Sequence, residues 1–196
     1  TGTDSNNVAL VGGDGVTDPH YVIAASTSPG FVGSQAVTFT HPAYAPNDPN
    51  SRWISISSTG TPGSNTTSYR LTFDLTGFDP LTAVITGDWG VDNDGAILIN
   101  GVATGNTLTG GSTANFNVLH AFSITSGFVA GSNFIDFVVT DLGAPTALRV
   151  DNLTGTARQV TGAIPEPATW LMMLIGFGAV GAAIRRQKAP PLKKAR

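Results

Sequence analysis

Residues Ala168 to Ile184 form an apolar run without a charge, entered through Ile164-Pro165-Glu166-Pro167 and closed by Arg185-Arg186. As a helix rising 1.5 Å per residue, these 17 residues span about 25 Å, at the short end of what crosses a bilayer. The two prolines fix φ and push the residues before them into extended backbone, so a helix cannot run through from upstream but can start cleanly after them. Beyond the run, Arg185, Arg186, Lys188, Lys193, Lys194 and Arg196 carry six positive charges with no negative one. Basic residues against one end of a span stay on the cytoplasmic side and direct everything N-terminal outward. The expected organisation is an exported domain (1–163), a Pro-Glu-Pro hinge (164–167), a single transmembrane helix (168–184) and a basic cytoplasmic tail (185–196). A permanent anchor is the rival reading of this segment, and a buried helix of a soluble domain a weaker one. Export also leads us to expect a signal peptide removed ahead of Thr1.

Written out as PEPATW, then LMMLIGFGAVGAAI, then RR, the same residues resemble the PEP-CTERM sorting signal of Gram-negative bacteria in its PEPxxW form. That resemblance covers about the last thirty residues. It implies recognition by an exosortase, a membrane cysteine protease that cuts near the Pro-Glu-Pro and releases or re-anchors the upstream domain. The motif falls on Pro165, Glu166, Pro167 and Trp170, and the arginine cluster on Arg185 and Arg186. The implied destination is the cell surface or extracellular matrix, reached by way of the inner membrane. Within the run, Gly176 to Gly181 match G-x-G-x-x-G, but a dinucleotide fingerprint needs a preceding strand and an acidic residue about 20 positions on. Neither is present, and the glycines suit close helix packing in lipid instead.

The exported part has a charge balance of its own. Twelve aspartates stand against four arginines, with no glutamate and no lysine, a net of −8 with histidines neutral. Such a surface excludes nucleic acid as a partner. The lack of cysteine removes disulfides, zinc-thiolate sites and thiol nucleophiles, so stability rests on the core.

Abundant Gly, Ser, Thr and Asn between short apolar runs predict an all-β domain. Strands are expected at Val8–Val11, Tyr21–Ala25, Gln35–Thr40, Arg52–Ser57, Tyr69–Leu75, Leu81–Gly87, Ala96–Ile99, Phe116–Ile124, Phe134–Thr140 and Leu148–Ala157. Asn100-Gly101 is a hairpin signal, because both residues accept positive φ. This count at this length predicts a two-sheet, jelly-roll-like sandwich. From Arg52 to Ala157, the series SRWISI, YRLTFDL, WGVDNDGAILING, SGFVAGSNFIDFVVTD and TALRVDNLTGTA is similar to galactose-binding-like domains and carbohydrate-binding modules. That resemblance implies the sandwich fold and, more remotely, an exopolysaccharide ligand.

Candidate site residues are few. Asp88, Asp92 and Asp94 are the densest oxygen cluster, and calcium is the cofactor such ligands suit. The spacing fails as an EF-hand, and a turn satisfying its own backbone is the competing reading. Asp14 and Asp18 form a second such candidate. Trp53 and Trp89 could stack on sugar rings, with core packing as the alternative; alternation against Ile54 and Ile56 would put Trp53 on the outer face. His120 reads as a core histidine, His20 and His41 as surface residues in loops. No nucleophile elbow occurs, and the absence of glutamate speaks against a glycosidase pair. The sequence therefore points to a non-enzymatic exported protein, with carbohydrate binding or self-assembly through sheet edges as alternatives.

Overall fold

The computed structural model describes residues 1–160, and the expected hinge, transmembrane helix and basic tail lie outside them. Ten strands follow in order: β1 Thr17–Ser26, β2 Gln35–Thr38, β3 Ile54–Ser55, β4 Thr66–Asp74, β5 Phe78–Asp92, β6 Asp94–Ile99, β7 Val102–Leu108, β8 His120–Ile124, β9 Ser132–Thr140 and β10 Ala147–Gln159. One short helix, α1 (Ala114–Asn117), precedes β8. All pairings are antiparallel, in the order β7-β6-β9-β4-β1-β2-β3-β10-β5-β8.

This single ladder folds over on itself into the layers of a sandwich. Trp89 of β5 and Phe122 of β8 lie 6.1 and 5.9 Å, ring centre to ring centre, from Phe137 of β9, although β9 stands six places from β5 in the ladder. Burying a side chain such as Phe137 contributes about 1.5–3 kcal/mol, and Ile23, Ile97, Ile135 and Leu148 join it in one core. Gly95 sits at a close approach to the core: a Cβ there would lie 2.9 Å from Trp89 Cζ3. On the outer face, Arg70 directly opposes Asp136 across β4 and β9, grips both carboxylate oxygens at 2.7 Å and stacks 3.8 Å over the Phe134 ring.

The hairpin forms at Asn100-Gly101, with φ of 50° and 80° joining β6 to β7. The two ends of the ladder also meet: Asn106 Nδ2 of β7 donates to the Ser123 carbonyl of β8 at 3.0 Å.

Four expectations change. Val8–Val11 forms no strand, only a bridge between Thr3 and Ala9. Arg52–Ser57 shrinks to Ile54–Ser55, because the loop through Phe39 and Tyr44 folds over Trp53 and takes the place of a neighbouring strand. The front of Phe116–Ile124 is helical. The Leu81–Gly87 strand runs on to Asp92, so Asp88 and Asp92 belong to a strand and not to a turn.

Candidate functional site

β3 contributes a single register pair to β10, Leu148 with Ile54, so the outer half of β10 is bonded to β5 alone. The layers part along this seam. At one end lies a cleft of about 340 Å³, between the N-terminal segment, β1, β4 and the first half of β10. At the other lies an apolar slot of about 250 Å³ between Phe73, Phe78, Phe128 and Ala157.

Three aspartates build the cleft wall by tying down the loops that carry three asparagines. Asp4 Oδ1 accepts from the backbone N–H groups of Asn6 and Val8 (2.8 and 3.0 Å), closing the loop that presents Asn7. Asp48 Oδ1 does the same for Asn50 and Ser51 (2.8 and 2.9 Å), and Asp151 Oδ1 for Asn152 (2.8 Å). Asn7 and Asn152 hold φ of 61° and 50°, a region in which asparagine is several-fold enriched among non-glycine residues. The Asn152 amide is oriented further by donating to Asp88 Oδ2 at 3.0 Å.

Beneath the wall lies Arg149, 2 % exposed. Its guanidinium donates to Ser51 Oγ (2.8 Å), the Pro46 carbonyl, Asp48 Oδ2 (2.7 Å) and Asp151 Oδ2 (3.4 Å). Burial by itself would raise the Asp48 carboxyl. The N–H groups of Asn50 and Ser51 and the Arg149 charge outweigh it and hold Asp48 below the usual carboxylate range. The Val8 and Asn6 N–H groups hold Asp4 low in the same way. His20 completes the wall: its Nε2 donates to the Asp4 carbonyl at 2.7 Å. Leu71 and Leu153 add apolar surface. Amides, hydroxyls and an imidazole around small apolar patches, with Asp151 as a lining carboxylate held by Arg149, suit a polyhydroxylated ligand, whose hydroxyls and C–H faces alternate.

The predicted site residues go elsewhere. Asp88 serves Asn152, Asp92 Oδ2 accepts from Tyr44 Oη at 2.6 Å, and Asp94 Oδ1 accepts from Gly111 N (2.7 Å) and Asn115 Nδ2 (3.3 Å). The three carboxylates thus have separate partners. Among the described residues no three His, Cys, Asp or Glu side chains are grouped to hold a metal ion. Asp14 is exposed, and Asp18 is buried and accepts from Gly2 N and His20 N. Trp53 and Trp89 are 1 % and 2 % exposed, so neither presents a face for sugar stacking. The outer-face expectation for Trp53 fails because the loop carrying Tyr44 covers it, with ring centres 4.6 Å apart and Trp53 Nε1 donating to the Ala45 carbonyl. His120 is half-buried with Nε2 satisfied by the Ala114 carbonyl, and His41 packs on Tyr44. The cleft asparagines escaped sequence reasoning, although their pairing with nearby aspartates (Asp4 with Asn7, Asp48 with Asn50, Asp151 with Asn152) is a readable signal.

Residues 163–187 match the family model described as the PEP-CTERM protein-sorting motif. This segment is a PEP-CTERM sorting signal. The PEP-CTERM match takes in Pro165, Glu166, Pro167, Trp170, Arg185 and Arg186, and marks an exported protein whose sorting depends on an exosortase. It does not extend to residues 1–162. No curated protein matches the sequence. Among solved structures, the chain is similar to the Stig cyclase Fisc from Fischerella sp. TAU (15 % identity, TM-score 0.44, covering 78 % of this chain and 92 % of that one). It is also similar to CBM35 from Paenibacillus barcinonensis (14 %, TM-score 0.39, 74 % and 99 %) and to CsCBM6-3 from Clostridium stercorarium in complex with cellobiose (20 %, TM-score 0.29, 60 % and 88 %). At these similarities none of the three carries a functional conclusion for this chain.

Proposed function

We propose that this protein is a non-catalytic component of the cell surface or extracellular matrix, brought there by its PEP-CTERM signal, and that its cleft holds a neutral polyhydroxylated ligand of the exopolysaccharide class. The wall of stapled asparagines carries the ligand half of this reading. Its asparagines supply hydrogen-bonding amides on loops fixed before a ligand arrives, which lowers the entropic cost of binding. The non-catalytic half rests on the same wall. Asp151, the carboxylate among the described lining residues, is tied to Arg149 and to the Asn152 N–H, and His20 is tied to the Asp4 carbonyl. Neither is poised as a nucleophile or as half of an acid–base pair.

Retention of the chain by exopolysaccharide from the producing cells, alongside neutral and acidic glycans, tests the ligand. Neutral glycan should retain it, and Asn7→Ala with Asn50→Ala should weaken retention; no retention by any glycan sinks the reading. Intact mass of the mature protein tests the sorting. A C-terminus near Pro165–Pro167 supports processing and release, and one still at Arg196 makes the segment a permanent anchor.

A further inference from the structure

The apolar slot at the far end of the seam owes its space to small residues. Ala83 of β5 and Gly155 and Ala157 of β10 line it together with Phe73, Leu75 and Phe128, and the Phe73 and Phe128 rings meet edge to face at 6.2 Å. Packed interiors leave few voids larger than a water molecule, yet about 250 Å³ stays open here. A cavity of about 150 Å³ already admits a benzene ring. Gly155 is not demanded by close packing, since a Cβ there would come no nearer than 3.5 Å to its closest neighbour, Ile85 Cγ1. The glycine keeps the slot open.

Apolar surface continues beside the slot. Leu81, between the lining residues Phe78 and Ala83 in sequence, is 90 % exposed, and Val129, next to Phe128, is 49 % exposed. The charges at this end are already engaged: Arg158 pairs with Asp79 at 2.9 Å, and Asp74 Oδ1 accepts from Thr76 N and Oγ1. Such a surface is held by hydrocarbon rather than by anionic head groups. The course of the chain says which hydrocarbon. β10 ends at Gln159, the register partner of Phe78, so the backbone leaves the described domain beside the slot. The sorting motif begins at residue 163 and the apolar run at Ala168, and from Gln159 to Ala168 the chain reaches about 30 Å at full extension. With that run in a bilayer, the tether keeps the slot within reach of the lipid surface.

We propose that the slot end of the domain is a lipid-docking surface: before processing, Leu81 and Val129 rest in the leaflet that faces the exported domain, and the slot takes the end of one acyl chain of a zwitterionic lipid. This inference rests on the sorting reading, in which the C-terminal run holds the unprocessed chain at a membrane, and is independent of the cleft and its ligand. Contact of this size is reversible, so a cut near Pro165–Pro167 removes the tether and lets the domain leave the lipid.

The chain has no cysteine, so introduced cysteines report one place at a time. The full chain carrying Leu81→Cys, or Val11→Cys in the exposed N-terminal segment as a control, is labelled with the environment-sensitive NBD fluorophore and reconstituted into phosphatidylcholine vesicles. We expect a blue shift and quenching by doxyl-labelled lipid at position 81 and neither at position 11. Gly155→Leu, which fills the slot, should abolish both signals, and Val129→Asp, at an exposed position, gives the same loss should Gly155→Leu not fold. No signal at 81 in a chain that floats with the vesicles overturns docking and leaves the span standing; a chain that does not float overturns both. Equal signals at 81 and 11, or a signal at 81 that survives both variants, also overturn docking. A signal that grows with added phosphatidylglycerol marks electrostatic capture, and one that needs a co-reconstituted exosortase assigns the surface to the protease; either result refutes the proposal.

Discussion

Arg149→Met keeps the length and much of the volume of a side chain that is 2 % exposed, and removes its charge. What it leaves behind sets the cost. Asp151, 8 % exposed in its side chain, loses its ion-pair partner, Asp48 loses a 2.7 Å contact, and Ser51 Oγ and the Pro46 carbonyl lose their donor. Removing one partner of a buried ion pair costs about 3–5 kcal/mol. Asp48, at 38 % exposure, remains partly hydrated and places the estimate toward the lower end. A domain of this size shifts by about 2–4 °C per kcal/mol, so the midpoint should fall by about 6–20 °C. Urea unfolding followed by tryptophan emission gives the free energy directly. Adding Asp151→Asn to Arg149→Met should recover part of the loss, because the second change removes the stranded charge. A loss below about 1 kcal/mol for Arg149→Met, a size typical of exposed pairs, would refute the argument that this network is desolvated and supports the cleft.

Further outcomes follow from the same reasoning. Stability should rise as pH falls from neutral toward about 4. Asp92 and Asp141, raised by burial, bind protons more readily in the folded state, and the penalty of their charge is relieved below their folded values. Below about 4 the trend should reverse, because Asp48, held low by its N–H donors and Arg149, loses its contribution as it protonates; a stability that only declines from pH 7 downward contradicts this. Asn100→Ala should cost about 2–4 kcal/mol in urea unfolding, since it puts alanine at φ 50° and removes bonds to Gly127, Asn133 and Phe134; a change under about 0.5 kcal/mol would be the size of an ordinary surface substitution and would count against it. Gly95→Ala should destabilise by about 1–3 kcal/mol through contact with Trp89, with a shifted tryptophan emission maximum as its mark.

Most of the fold was legible because period-2 alternation and turn residues act locally. Tyr69 to Leu75 reads as a strand and Thr66–Asp74 forms one, and Asn100-Gly101 turned where its dihedral freedom allowed. Local pattern misled where tertiary cover decided the outcome. Trp53 alternates as an outward residue, yet the Phe39–Tyr44 loop buries it. Asp88 and Asp92 lie among turn-forming residues, yet pairing with β10 carries β5 through them. The sorting signal was readable in full, since its meaning lies in linear order. The cleft was not, because its asparagines come from three segments brought together by the seam, and they share no sequence neighbourhood.

Among the described residues β10 is the last strand in sequence but an interior strand of the ladder, lying between β3 and β5. The sheet therefore stays interrupted in its middle until the residues up to 159 are in place. The sorting motif begins four residues later, at position 163. The strand that closes the sheet and the segment that carries the sorting signal are thus near neighbours in the sequence. A chain broken before β10 forfeits both its closing strand and its label.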